Sequence, residues 1–113
     1  MGKNIKEEKH ENYCEILVRA LKEKGYTVKS EVVLPYGRGA ADVVFYDSEG
    51  VENVVEVKGQ PTSLRCKKVT KQLNKYLEFF GEKANYFIGF PQHQGALVLQ
   101  EASTGAIRRL EDL

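Results

Sequence analysis

Two short runs, residues 41–46 and 52–58, hold apolar side chains at both odd and even positions: Val43, Val44 and Phe45 in the first, Val54, Val55 and Val57 in the second. A strand with one wet face alternates apolar and polar residues, so runs that are apolar on both faces belong in the middle of a sheet covered on both sides. The turn formers Asp47, Ser48, Glu49 and Gly50 lie between the runs and make them a hairpin. The rest of the chain must therefore supply the two covering layers.

Candidates for those layers are legible. Residues 11–24 place Tyr13, Ile16, Leu17, Ala20 and Leu21 at helical spacing and stop at Gly25. A second helix, starting between Leu64 and Val69 and ending at Phe80 before Gly81, shows a stripe of Val69, Leu73, Tyr76, Leu77 and Phe80. Residues 27–34, rich in β-branched side chains and ended by Pro35, read as a strand before the hairpin. Residues 85–90 and 96–100 read as two strands after the second helix, and 104–110 as a short edge strand. The order is helix, three strands, helix, two strands: an α/β fold with a mixed sheet and helices packed on it. With 113 residues, 42% of them hydrophobic, one domain over residues 1–113 is expected, ordered apart from its first few residues.

Other classes are set aside on composition. The apolar runs stop far short of the roughly 20 residues that a membrane span needs. The charged start, residues 1–9, has no apolar stretch behind it as a signal peptide would, so a cytoplasmic, intracellular protein with no membrane partner is expected. Cys14 and Cys66 lack metal-ligand spacing and read as reduced, partly buried thiols, while His10 and His93 carry no assigned role. Net charge is only +1, yet residues 57–77 contain no acidic side chain while carrying Lys58, Arg65, Lys67, Lys68, Lys71 and Lys75. That asymmetry marks a candidate phosphate-facing surface.

Into the apolar hairpin the sequence inserts Asp42, Glu56 and Lys58. If the hairpin is symmetric about its turn, position 42 lies opposite 56, and directly opposed side chains have Cβ atoms roughly 4.5–5.5 Å apart. Two carboxylates so placed repel and resist desolvation unless a positive group neutralises them. A hard divalent cation does so; Mg²⁺ favours one or two carboxylates, waters and a substrate phosphate, and lowers the pKa of a water for in-line attack on phosphorus. Lys58, two residues after Glu56 on the same face, is suited to orient or deprotonate that water and to offset developing negative charge. The bland alternative is a buried salt bridge of Lys58 with the two acids.

Ala41-Asp42-Val43-Val44 and Glu56-Val57-Lys58-Gly59, with thirteen residues separating Asp42 from Glu56, resemble the D-x(n)-ExK core of the PD-(D/E)XK nuclease superfamily. Ala41 stands where that family often has Pro. The resemblance covers nearly the whole chain, since the element order is similar to the family's restriction-endonuclease-like αβββαβ core. It implies Asp42, Glu56 and Lys58 as catalytic residues, with Asp42, Glu56 and Val57 as metal-binding positions for Mg²⁺ or Mn²⁺. It also implies an acidic residue on the first helix, for which Glu11 and Glu15 qualify at i and i+4. Gln72 and Tyr76 resemble the Q-x-x-x-Y element of RecB-like members, beside the active site. Ser30 or Glu31 is a further candidate to face the site.

The function implied is hydrolysis of DNA phosphodiester bonds by a structure-selective endonuclease. Arg38 in the glycine-rich loop 36–39, the basic residues Arg65, Lys67, Lys68, Lys71 and Lys75, and Tyr76 are the nucleic-acid-binding candidates. The family's small resolvases are commonly homodimers, and alternating apolar residues on strands 85–90 and 96–100 offer a surface for a second subunit. The competing readings are a non-catalytic nucleic-acid-binding module and a nuclease subunit targeted by a partner protein.

Overall fold

A computed structural model describes residues 5–113, with side chains from Glu7 onward; the expectation for the first few residues lies outside the described part. Helix α1 (Ile5–Glu23) leads into β1 (Thr27–Val33), a single 3₁₀ turn (Pro35–Gly37), β2 (Ala40–Tyr46) and β3 (Glu52–Val57). Helix α2 (Lys67–Phe80) follows, then β4 (Asn85–Pro91), β5 (Leu97–Glu101), β6 (Ile107–Arg109) and a closing 3₁₀ turn (Leu110–Asp112). The six strands form one mixed sheet in chain order, with only the β3–β4 pair parallel because α2 carries the chain back between them.

The hairpin register is the symmetric one expected. Val43 pairs with Val55 and Val44 with Val54, a register that, continued by one step, brings Asp42 beside Glu56, whose carboxyl feels the Asp42 charge. Its turn is built by Asp47, whose Oδ1 accepts from the backbone N–H groups of Glu49 and Val51 at 2.9 Å, while Gly50 supplies a φ of +80°.

The two helices cover opposite faces. Leu17 and Leu21 of α1 pack on Val43, Phe45, Val55, Val57, Phe87, Leu97 and Leu99. On the other face Tyr76 packs with Val44 and Val54, and Val69 with Ile88, Phe90 and Val98. The surface of β4 and β5 offered above to a second subunit is thus already covered. Phe87, Leu97 and Leu99 lie under α1 and Ile88, Phe90 and Val98 under α2, which corrects that part of the expectation. Gly89 has no room for more: a Cβ there would stand 3.1 Å from Leu99 Cδ2 and 3.4 Å from Val55 Cγ1. Gly89→Val is expected to lower the unfolding free energy by about 2 kcal/mol through overpacking, read by urea titration.

Helix α1 begins about two turns before the expected start. Its apolar period begins only at Tyr13, but residues 6–9 are Lys and Glu, strong helix formers, and Glu7 and Glu8 sit favourably at the positive end of the helix dipole. This extension carries His10 into the helix, one turn before Cys14.

Regular pleating fails at one place. Val28 packs on the α1 face and Val32 on the α2 face, although residues four apart should share a face. The reversal falls at Glu31, which holds the left-handed φ of +49°. On β2 the same reversal separates Ala41, in the α2-side core, from Val43, in the α1-side core. Asp42 lies between them, at a kink. Left-handed backbone costs a non-glycine residue on the order of 1 kcal/mol or more, and such strain gathers at functional sites.

Candidate active site

The kink decides where Asp42 goes. In an unbroken strand its side chain would point with Val44 toward α2; instead it lines a cleft of about 380 Å³ under α1, with His10, Glu11, Cys14, Glu15, Ser30 and Glu31. Its Oδ2 accepts a hydrogen bond from the backbone N–H of Val57 at 2.8 Å and stands 3.2 Å from His10 Nε2. Both helix acids proposed from the sequence, Glu11 and Glu15, and both candidates of the first strand, Ser30 and Glu31, therefore reach one cleft.

Glu56 faces the other helix. It is 6% exposed, and its Oε2 accepts a hydrogen bond from the Tyr76 hydroxyl. That hydroxyl also lies 3.2 Å from the Ala40 carbonyl oxygen and accepts from Gln72 Nε2 at 3.0 Å. Gln72 and Tyr76 thus act through Glu56, at the i, i+4 spacing that puts them on one face. Lys58 Nζ lies 3.5 Å from Glu56 Oε1, with its side chain 28% exposed, so its ammonium bridges the buried acid and the solvent.

Electrostatics bind the parts together. Burial, and then the charge of Asp42, push the Glu56 carboxyl up to about 7, against the opposing pull of the Tyr76 hydrogen bond and Lys58. Burial pushes the Cys14 thiol up to about 12, assisted by the charges of Asp42, Glu56, Glu31 and Glu11. Tyr76 is raised by burial and by Glu56. Burial is the largest cause of all three shifts, and the charges of Asp42 or Glu56 add to each of them, so these carboxylates gather at one end of the sheet.

Several assignments change. Tyr76, placed among the nucleic-acid-binding residues, is fully buried and presents no surface to a ligand; it positions Glu56 instead. Cys66 is exposed rather than partly buried, and it caps α2, where the N–H groups of Val69 and Lys68 lower its thiol pKa. Arg38 is exposed but ion-paired with Glu78 of α2. Val57 contributes to the site through its backbone N–H to Asp42.

The basic residues Arg65, Lys67, Lys68, Lys71 and Lys75 are all exposed. At 100° per residue, Lys68 and Lys75 fall on the same flank of α2 as Gln72, and Lys67 falls opposite Tyr76, facing outward. Sequence reasoning missed His10. Its signal was available only as an i, i+4 pair with Cys14 in a stretch whose helicity carries no apolar period. Tyr36, 96% exposed beside Arg38 and Lys75, was also passed over.

Among the described residues, no helix is long and apolar enough to cross a membrane. No family model, no curated protein and no solved structure matches this chain.

Proposed function

We propose that the chain is a metal-dependent endodeoxyribonuclease of the PD-(D/E)XK type with a restriction-endonuclease-like core. The observation that carries this reading is the meeting of Asp42, Glu56 and Lys58 at the open end of an otherwise apolar hairpin, within reach of Glu11 and Glu15 on α1. The helix, three strands, helix, strand order around them also agrees with that family's core.

The donor set fits a hard divalent cation. Burial first, and then the Asp42 charge, hold Glu56 up at about 7, so a cation between the two carboxylates would offset both costs. Asp42 and Glu56 would hold Mg²⁺ or Mn²⁺, with position 57 alongside them. When bound, the ion supplies Lewis acidity toward water and the scissile phosphate. The remaining work belongs to the chain. The Tyr76 hydroxyl and Gln72 fix the Glu56 carboxylate, and the Val57 N–H fixes Asp42. Lys58, partly exposed and paired as an ammonium with Glu56, donates to and orients the attacking water and offsets charge on the phosphate oxygens. A stability-only salt bridge would not require this arrangement, since apolar residues replace buried ion pairs at little cost.

The substrate of this reading is DNA, and the preferred DNA structure is left to the assay below. One such site per chain makes one cut. A second copy, which a double-strand cut needs, has to dock elsewhere than on β4 and β5. The test is incubation of purified protein with branched, single-stranded and linear duplex DNA in Mg²⁺, Mn²⁺ or EDTA. Cleavage of one of these substrates with metal, and none with EDTA, is expected; no cleavage of any of them overturns the reading.

The basic flank of α2 should face the phosphates. Lys68→Ala with Lys75→Ala is expected to lower the slope of log affinity against log salt by about two units, one for each phosphate no longer neutralised. Lys67→Ala should leave it nearly unchanged. Equal slopes for the double variant and the parent protein would show this flank to be merely solvated.

A further inference from the structure

His10, Cys14 and Asp42 offer an imidazole nitrogen, a sulfur and a carboxylate oxygen that all lie within 4.8 Å of one another. His10 Nε2 is 3.8 Å from Cys14 Sγ and 3.2 Å from Asp42 Oδ2. In a tetrahedral zinc shell, bond lengths of 2.0–2.3 Å put the ligand atoms roughly 3.3–3.8 Å apart. The two separations from His10 fall at the ends of that range, and the third, between Cys14 Sγ and Asp42, lies within 4.8 Å, so side-chain movement of roughly 1 Å or less would complete such a shell. The three side chains converge from two elements: His10 and Cys14 lie one turn apart on α1, and Asp42 lies on β2, opposite the left-handed Glu31 of β1. The cleft that they line admits solvent, and His10 is 38% exposed, so an ion has a path in and a fourth position for water.

We propose that His10, Cys14 and Asp42 form a binding site for a soft or borderline transition-metal ion, Zn²⁺ in the first instance, distinct in ligand set from the hard-cation site of Asp42 and Glu56. Sulfur and imidazole donors select Zn²⁺ or Co²⁺ over Mg²⁺, which takes oxygen ligands. On binding, the Cys14 S–H bond breaks, its proton passes to the buffer, and the thiolate sulfur donates to the metal. Asp42 belongs to both sets, so one ion excludes the other, and Zn²⁺ acts as a competitive inhibitor with respect to Mg²⁺. Only this last consequence rests on the nuclease reading; the binding does not.

Binding is measured without DNA or Mg²⁺, using Co²⁺ as a spectroscopic probe and Zn²⁺ to displace it. The parent protein is expected to bind one Co²⁺ with a sulfur-to-cobalt charge-transfer band in the near ultraviolet. Cys14→Ser should abolish the band and weaken Zn²⁺ binding at least tenfold. His10→Gln, at a partly exposed position, should keep the band and weaken binding to a similar extent. Absence of the band in the parent protein, or equal Zn²⁺ affinity in parent and both variants, overturns the proposal. In a cleavage assay, Zn²⁺ should inhibit the Mg²⁺-supported reaction of the parent and do so at least tenfold less effectively in Cys14→Ser; equal inhibition of both overturns the competition. A cobalt band in a protein that cuts no DNA leaves this site standing and defeats the nuclease reading alone.

Discussion

Asp42→Ala and Glu56→Ala are each expected to reduce Mg²⁺-supported DNA cleavage by about a thousandfold or more while leaving a folded protein. The size follows from what a bound cation contributes to a charged transition state, several kcal/mol, with each 1.36 kcal/mol a factor of ten in rate. The fold survives because neither carboxylate anchors the core. Asp42 accepts from the Val57 N–H and stands beside His10 and Glu56 at the edge of a cleft, and Glu56 is already disfavoured as an anion by burial. Lys58→Ala should lose activity comparably yet retain metal binding, because its ammonium ligates nothing. Rates for purified variants on the preferred substrate, beside their circular dichroism and a calorimetric Mg²⁺ titration, check all three. Cleavage at the parent rate by either acid variant would remove the assignment.

Glu56→Gln is expected to stabilise the metal-free protein at pH 8 by up to about 3 kcal/mol. The folded Glu56 carboxyl titrates at about 7 against an ordinary value of 4.5. Between those values the folded state binds more protons than the unfolded chain, so the contribution of this group to stability is present below pH 4.5 and is lost as pH rises through 7. At about 1.4 kcal/mol per pH unit the ceiling is about 3 kcal/mol, and with the side chain only 8% exposed little of it is screened away. The amide oxygen of Gln still accepts from the Tyr76 hydroxyl, so the substitution removes the charge and keeps the hydrogen bond. Urea titrations in EDTA at several pH values between 4 and 8 should show the parent losing stability relative to the variant as pH rises. Parallel curves would mean that Glu56 is not held in its acid form. Addition of Mg²⁺ at pH 8 should narrow the gap, because the cation replaces the proton.

What could be read from the chain before folding was local. The valine runs on either side of a turn at 47–50 determined a central hairpin, and its symmetric register set Asp42 and Glu56 at neighbouring strand positions, because turn chemistry acts over a few residues. The apolar stripe and Gly81 likewise marked the end of α2, and the i, i+4 spacing marked the Gln72–Tyr76 pair. Tertiary packing decided the rest. Tyr76 became a buried clamp on Glu56 rather than a ligand contact because α2 lies across β3, a placement that helical period alone leaves open. The faces of β4 and β5 are closed by α1 and α2, since covering them within one chain buries apolar area at no association cost. The left-handed backbone at Glu31, and the strand kink beside it, turn Asp42 toward α1; no residue type near Glu31 announces such a break. Only that turn brings Asp42 to His10 and Cys14, about thirty residues away in sequence, because a contact between a helix and a kinked strand depends on how the layers pack and not on any spacing along the chain.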